Sequence, residues 1–231
     1  MLKFLIIFIT SFVFSQTPMS GKISYKIEKK YQIIDTTNNN HFINKIQEAQ
    51  VNLEFQLLFN HNSSLFQNIP KLIKDGEIEM QKIITSTVSN DFLYFLNNDS
   101  IVQKRDLFGK EILEFEVKKP ISWKLINETK KVGAFLCYKA TTEVTIIRDQ
   151  KPKTIEIIAW YCPEIPFPYG PQNYRGLPGI ILELTSRSFV FTAKKIEWFE
   201  EDIIKKLKPW SGKMMSTQEV KKFIENRKTE N

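Results

Sequence analysis

Two charged side chains in one short aromatic segment are the strongest candidates for chemistry in this sequence. Glu164 lies between Trp160 and Phe167, and an apolar environment of that kind raises the pKa of a carboxyl group, as a general acid requires. The competing interpretation, which we favour, is that the Glu164 carboxylate accepts backbone N–H groups and holds a turn. Arg175 either binds an acidic ligand or pairs with Glu164, and a structural ion pair is the favoured interpretation.

No recognised catalytic or cofactor-binding motif accompanies these two residues. The sequence contains no G-x-S-x-G elbow, no P-loop and no glycine pattern of a dinucleotide-binding fold. A Ser–His triad is compatible with the order of the residues, but nothing marks a nucleophile. His41 and His61 lie in polar, loop-like segments, and with two cysteines they do not supply a zinc site. We therefore predict no metal and no cofactor, and a third hypothesis, that the protein is a hydrolase, rests only on Glu164 and the shape of the proline-rich segment around it.

The segment from Trp160 to Ile180, which we call the strap, differs from the alternating segments on either side of it. Five of the 10 prolines fall here, and proline neither continues a helix nor pairs in a central strand. The strap nevertheless carries more apolar area than a solvated linker. Its aromatic residues are Trp160, Tyr161, Phe167, Tyr169 and Tyr174. We predict a rigid, irregular segment that buries these rings against β-structure.

The two cysteines flank a predicted β-hairpin. Alternation of apolar and polar residues about a polar turn predicts a register in which Tyr138 faces Tyr161. That register sets Cys137 opposite Cys162, at a separation that a disulfide spans. Because an exported protein meets an oxidising compartment, we predict a Cys137–Cys162 disulfide, with two unpaired thiols as the alternative.

Short alternating segments separated by turn residues indicate antiparallel β-structure along most of the chain. Strands are predicted at 21–34, 48–60, 91–97, 100–108, 111–118, 122–128, 136–146, 154–162, 180–185 and 189–197. The last two form a hairpin in which Leu184 faces Phe189, and residues 64–86 are ambiguous between strand and helix. Ser216 and Glu219 form a capping box before an amphipathic helix at about 217–226. The predicted fold is mainly β, a single curved antiparallel meander or open half-barrel.

The beginning of the sequence predicts export. Lys3 and an apolar run from Phe4 to Phe14 have the layout of a secretory signal peptide over residues 1–15, with a buried strand as the alternative. No cysteine follows the run, so a lipoprotein anchor is not indicated, and no later stretch is apolar enough for a membrane helix. Residues 16–231 fit one domain. The net charge of +7 comes mostly from dispersed lysines, a pattern that does not favour nucleic-acid binding.

The blocks around the strap resemble the GLPGLI family, exported proteins of Bacteroidota bacteria with no assigned activity. Residues 176–181 read GLPGII, and residues 159–171 read AWYCPEIPFPYGP, similar to the family's AWYTPEIP-type block. Trp123 and residues 137–141 also match. The core of the name motif is Gly176, Leu177, Pro178 and Gly179. Cys162 stands where the family usually has Thr, so the resemblance does not imply the disulfide. It implies export and a β-rich fold, and no chemistry.

Two non-catalytic functions are compatible with these features. In the first, which we favour, the sheet encloses an apolar or lipid-like ligand in the periplasm or at the cell surface, with the strap as its rim or lid. The binding residues are then Trp160, Tyr161, Glu164, Phe167, Tyr169, Tyr174 and Arg175. In the second, the protein is a structural or interaction component of an outer-membrane or secretion complex, and the strap is its contact surface. Trp123, Trp160 and Trp198 are favoured as core residues.

Overall fold

The computed structural model describes residues 20–30, 53–69, 85, 88–148, 151–187, 189–207 and 210–229. The predicted signal peptide, His41 and most of the ambiguous segment 64–86 lie outside these residues. The strands are β1 (Ser20–Lys29), β2 (Phe55–Asn60), β3 (Ser63–Asn68), β4 (Asp91–Phe95), β5 (Ser100–Leu107), β6 (Lys110–Val117), β7 (Lys124–Val132), β8 (Phe135–Arg148), β9 (Lys151–Cys162), β10 (Ile180–Thr185), β11 (Phe189–Phe199) and β12 (Lys213–Ser216). The helix α1 (Thr217–Thr229) follows.

All of these strands form one open sheet in the order β12-β6-β5-β4-β3-β2-β1-β11-β10-β9-β8-β7. It consists of two antiparallel meanders, β1–β6 and β7–β11, which join where β1 pairs with β11 and Ile23 lies opposite Ile196. The predicted mainly-β fold with a strap and a short C-terminal helix is confirmed. The sheet is mixed, because the unpredicted strand β12 runs parallel to β6.

The register of the β8–β9 hairpin agrees with the prediction. Tyr138 lies opposite Tyr161, and Val144 lies opposite Ile155. In the β10–β11 hairpin, Leu184 faces Phe191 and not the predicted Phe189. This shift of two residues leaves every side chain on the same face, so the apolar pattern could not distinguish the two registers.

One face of the sheet carries the main hydrophobic core. Phe55 and Phe66 are buried with their rings stacked 5.2 Å apart. Phe191 meets both rings edge-on, an arrangement that aromatic pairs prefer. The buried Tyr25 hydroxyl donates a hydrogen bond of 2.7 Å to the carbonyl oxygen of Ile181. Much of the phenylalanine content is therefore used for packing within the protein.

Both edges of the sheet have features that oppose pairing with another molecule. The edge strand β7 has an irregular register between Ile126 and Thr129 and carries Lys124, Lys130 and Lys131. The other edge strand, β12, is only four residues long and leads directly into α1. Bulges, lysines and short edge strands all disfavour edge-to-edge association.

The helix α1 begins with the predicted capping box and runs to Thr229, slightly beyond the predicted end. The Ser216 N–H donates to Glu219 Oε2 at 2.7 Å, and the Glu219 N–H donates to Ser216 Oγ at 3.3 Å. Val220 is buried against Ile112 of β6. The helix therefore depends on both its cap and one apolar face.

We predict that Ser216→Ala lowers the free energy of unfolding by about 1 kcal/mol, because it removes the side-chain oxygen that accepts the Glu219 N–H. Thr217→Ala is the matched control. The Thr217 hydroxyl has no hydrogen-bond partner, so its removal should cost less. Urea unfolding monitored by circular dichroism measures both, and equal losses for the two variants would contradict the role of the cap.

Candidate functional site

The irregular part of the strap is residues 163–179, because β9 continues to Cys162 and β10 begins at Ile180. Its backbone is held by hydrogen bonds from Ile180 N–H to the Ile165 carbonyl and from Ile181 N–H to the Tyr169 carbonyl, both of 2.9 Å. Ile165, Phe167, Tyr169 and Leu177 are all buried. The predicted packing of the strap against the sheet is confirmed.

Phe167 fixes the first part of the strap to the far meander. Its ring centroid lies 4.8 Å from that of Phe59 in β2 and 5.1 Å from that of His61 in the following turn. The ring centroid of Trp198 in β11 lies 6.4 Å from that of Phe167. This side chain is an apolar anchor that holds the two meanders together.

Arg175 fixes the second part of the strap and is 5% exposed. Its guanidinium carbon lies 4.6 Å from the ring centroid of Tyr94. Nη1 donates to the Asn173 carbonyl at 3.3 Å, and Nη2 lies 3.6 Å from Oδ1 of Asp99. The predicted pairing with Glu164 is wrong, because Arg175 lies against β4 and the turn that follows it, while Glu164 is exposed at the beginning of the strap.

Three polar atoms around Tyr94 are buried without a hydrogen-bond partner. They are the Tyr169 hydroxyl and Nε and Nη2 of Arg175. The Tyr169 ring meets the Tyr94 ring edge-on at 5.9 Å, and the Tyr94 hydroxyl donates to Asp99 Oδ1 at 2.8 Å. Burial, followed by the proximity of Tyr94, raises the pKa of Tyr169. Its hydroxyl is therefore a neutral donor at every ordinary pH.

Trp123 and Tyr174 fix the backbone from which Arg175 projects. Trp123 Nε1 donates to the Arg175 carbonyl at 2.8 Å, and the Trp123 and Tyr174 ring centroids are 6.2 Å apart. Burial raises the pKa of Tyr174 to about 12. Tyr94 and Asp99 were not among the predicted binding residues, and no local motif marks them.

The structure brings together Tyr169, Tyr174 and Arg175 of the predicted binding residues, and it separates the other four. Trp160 lies on the sheet under Lys130, whose Nζ is 4.5 Å from its ring centroid. Tyr161 packs against Tyr138 at 6.1 Å. The apolar environment expected around Glu164 is not present, since Glu164 is exposed. The hydrolase hypothesis thereby loses its physical basis.

The predicted disulfide is not formed, and both cysteines are buried free thiols. The ladder between β8 and β9 ends with Tyr138 and Tyr161, one residue short of the cysteines. The Cys137 thiol instead donates to the Phe135 carbonyl at 3.8 Å. Burial, followed by the proximity of Cys162, raises the pKa of Cys137 to about 12.

The structure requires glycine at Gly176 and at Gly179 of the GLPG motif for two different reasons. Gly176 has a φ of +86° and open space around its Cα, so only its backbone conformation favours glycine. At Gly179, a Cβ atom would lie 2.2 Å from the carbonyl oxygen of Cys162. Gly179 is therefore required for the close approach of the two ends of the strap.

Neither a membrane-crossing helix nor a metal-ligand cluster is present in the part of the chain that the structure describes. None of the described helical segments is long and apolar enough to cross a bilayer. The same residues contain no group of three His, Cys, Asp or Glu side chains placed to hold a metal ion.

The chain thus has the features of a β-sheet protein with a covering strap, and the comparisons with known proteins agree with this class. A family model described as "Protein of unknown function (Porph_ging)" matches residues 142–183, which include the whole strap. No curated protein matches the sequence.

Two structures of PNGF-II resemble this fold. The structure in the C2 space group has a TM-score of 0.56 and 14% identity, and the match covers 89% of this chain and 32% of that chain. The structure in the P21 space group has a TM-score of 0.55 and 16% identity, with 89% and 33% covered. The chain therefore spans about a third of the length of PNGF-II, and at this identity the likeness shows the fold alone.

We predict that both cysteines resist iodoacetamide in the folded protein and react after denaturation. The rise of the Cys137 pKa from 9.0 to about 12 lowers its thiolate fraction about a thousandfold near pH 8. Labelling of the folded protein should increase as the pH approaches that value. Mass spectrometry counts the modified thiols, and a denatured protein with no reactive thiol would show that a disulfide forms after all.

We predict that Gly179→Ala lowers the free energy of unfolding by about 3 kcal/mol, because the new Cβ displaces the Cys162 carbonyl. Gly176→Ala, the matched control, should cost only about 1 kcal/mol from backbone strain. Urea unfolding of both variants measures the difference. A larger loss for Gly176→Ala would show that the strap ends do not meet as described.

Proposed function

We propose that this protein is a non-catalytic binding module of the cell envelope for an apolar or lipid-like ligand, and that the ligand is bound where the strap crosses Tyr94. The observation that carries the proposal is the set of three buried, unpaired polar atoms on Tyr169 and Arg175. Buried polar groups in folded proteins nearly always have partners. A cluster of unpaired donors among aromatic rings is typical of a site that a ligand completes.

The position of the strap supports one location for such a ligand. Ile165, Phe167 and Leu177 are buried in the main core, so they occupy surface that a simple open half-barrel would leave for its ligand. We therefore place the ligand at the Arg175 end of the strap, between the strap and the turn at Asp99, and not in the middle of the sheet.

We further propose that the chain is a GLPGLI-type protein that is exported to the periplasm or the cell surface, with residues 1–15 as its signal peptide and residues 16–231 as a single domain. Supporting this, the family model of unknown function matches residues 142–183. That range includes the AWYCPEIPFPYGP and GLPGII blocks. It does not indicate a chemical activity.

Native mass spectrometry of the protein purified from envelopes of its source bacterium tests the binding function. We expect a co-purifying apolar molecule in about equal molar amount that denaturation releases, together with its loss in Arg175→Gln. Ile147→Gln is a control on a side chain that is 73% exposed and lies opposite Pro152, at the turn end of the β8–β9 hairpin. A folded wild-type protein that carries no apolar molecule, in envelopes rich in lipid, would overturn the proposal.

A second function is favoured by one specific observation, the filling of the core face by the strap itself. In this alternative the protein is an interaction component of a larger envelope complex. Chemical cross-linking in intact cells should then capture one stoichiometric partner through lysines near the strap, and capture that is unchanged by Gly179→Ala would argue against the strap as the contact.

A further inference from the structure

We infer that Arg175 and Tyr169 form a site for the carboxylate head of a small amphiphilic ligand. This inference rests on the proposed binding function and adds the chemistry of the ligand's polar end. Three features support it: the guanidinium edge that has no hydrogen-bond partner, the unpaired Tyr169 hydroxyl, and the incomplete neutralisation of the arginine.

The two unpaired nitrogens of Arg175 lie on one edge of the guanidinium group. The Nε–H bond and one N–H bond of Nη2 are parallel in the planar guanidinium group, whereas Nη1 donates to the Asn173 carbonyl. Two parallel donors at this spacing match the two oxygens of a carboxylate, which arginine binds in a bidentate manner. The free edge is therefore the one suited to a planar carboxylate.

The Tyr169 hydroxyl is a second buried donor without a partner, and its ring has Tyr94 as a neighbour in common with Arg175. Both Arg175 and Tyr169 contact the ring of Tyr94, at 4.6 Å from the guanidinium carbon and 5.9 Å between the ring centroids. Tyr169 is 1% exposed, so water does not satisfy its hydroxyl from the bulk. The rings of Tyr94 and Tyr169 make the surroundings of the guanidinium apolar, and for this reason we assign an amphiphilic carboxylate and not a fully hydrated anion.

Asp99 does not neutralise Arg175 fully. Its Oδ1 is 3.6 Å from Nη2, too long for a hydrogen bond, and accepts one from Tyr94 at 2.8 Å. The Asp99 side chain is also 44% exposed, so solvent screens its charge. A buried cation with a distant partner gains from a second anion, while Asp99 itself repels one.

The test uses the full mature chain and three probes, with affinity measured by titration calorimetry and stability by thermal unfolding. The probes are octanoate, octanamide with the same chain and no charge, and inorganic phosphate. We expect octanoate to bind and to raise the unfolding temperature. Octanamide and phosphate should bind about tenfold more weakly or not at all, because neither combines a carboxylate with an apolar chain.

Three variants separate the site from a structural role of the same residues. Arg175→Lys keeps the positive charge but loses the two parallel N–H donors of the guanidinium group. Octanoate should therefore bind about tenfold more weakly. Tyr169→Phe should weaken binding about threefold while leaving the unliganded protein equally stable or more stable, since it removes an unpaired buried hydroxyl. Asp99→Asn keeps the acceptor for Tyr94 and should strengthen binding about threefold by removing a repelling charge.

The possible outcomes distinguish a failure of the carboxylate site from a failure of the proposed binding function. Equal binding of octanoate and octanamide would overturn the carboxylate site while leaving a binding module for apolar ligands. Binding of phosphate in preference to octanoate would overturn the assignment of the ligand class. Unchanged affinity in Tyr169→Phe, a variant expected to fold, would remove Tyr169 from the site and overturn the two-residue arrangement. If no probe binds and the protein from envelopes carries no apolar molecule, both the inference and the proposed function fail.

Discussion

The packing of the strap across the boundary between the two meanders is the interaction on which the rest of the structure depends. The strap leaves the sheet from β9, and its side chains contact the other half: Phe167 packs on Phe59, and Arg175 packs on Tyr94. Its prolines have no N–H group to offer, and several of the remaining N–H groups pair with carbonyls of the strap itself or of Cys162. Sequence-distant segments are thus joined by side chains, in addition to the ladder between β1 and β11. A change in the strap should accordingly affect both halves of the sheet.

Features with a strong local signal could be predicted from the sequence. The β8–β9 register was predictable because a slip of one residue would mix apolar and polar faces, and the helix cap because Ser216 and Glu219 have a defined spacing. The strand β12 was not predictable, since among its four residues only Met215 is buried and its conformation depends on pairing with β6. The predicted disulfide is not found in the structure, in which the β8–β9 ladder ends with Tyr138 and Tyr161, one residue before the two thiols.

The candidate site was only partly predictable for a similar physical reason. Rings in a proline-rich segment indicated burial, and Tyr169 and Arg175 were named on that basis. Their neighbours Tyr94 and Asp99 belong to another meander, and Asp99 is placed by a left-handed backbone conformation with φ of 49° in a turn. Sequence proximity favoured Glu164 as the partner of Arg175, whereas the fold brings Asp99 there. Long-range partners of a single charged residue leave no periodic signal along the chain.

The central position of the first strand has a consequence for how the chain assembles. β1 lies between β2 and β11, and Ile23 meets Ile196, so one side of this strand has no partner until nearly the whole polypeptide is available. Until then the unpaired N–H and C=O groups on that side of β1 can form hydrogen bonds with a strand of another chain. Contacts between residues so far apart in sequence form late and slowly. A chain cut before β11 would expose this edge permanently and should therefore associate with other chains.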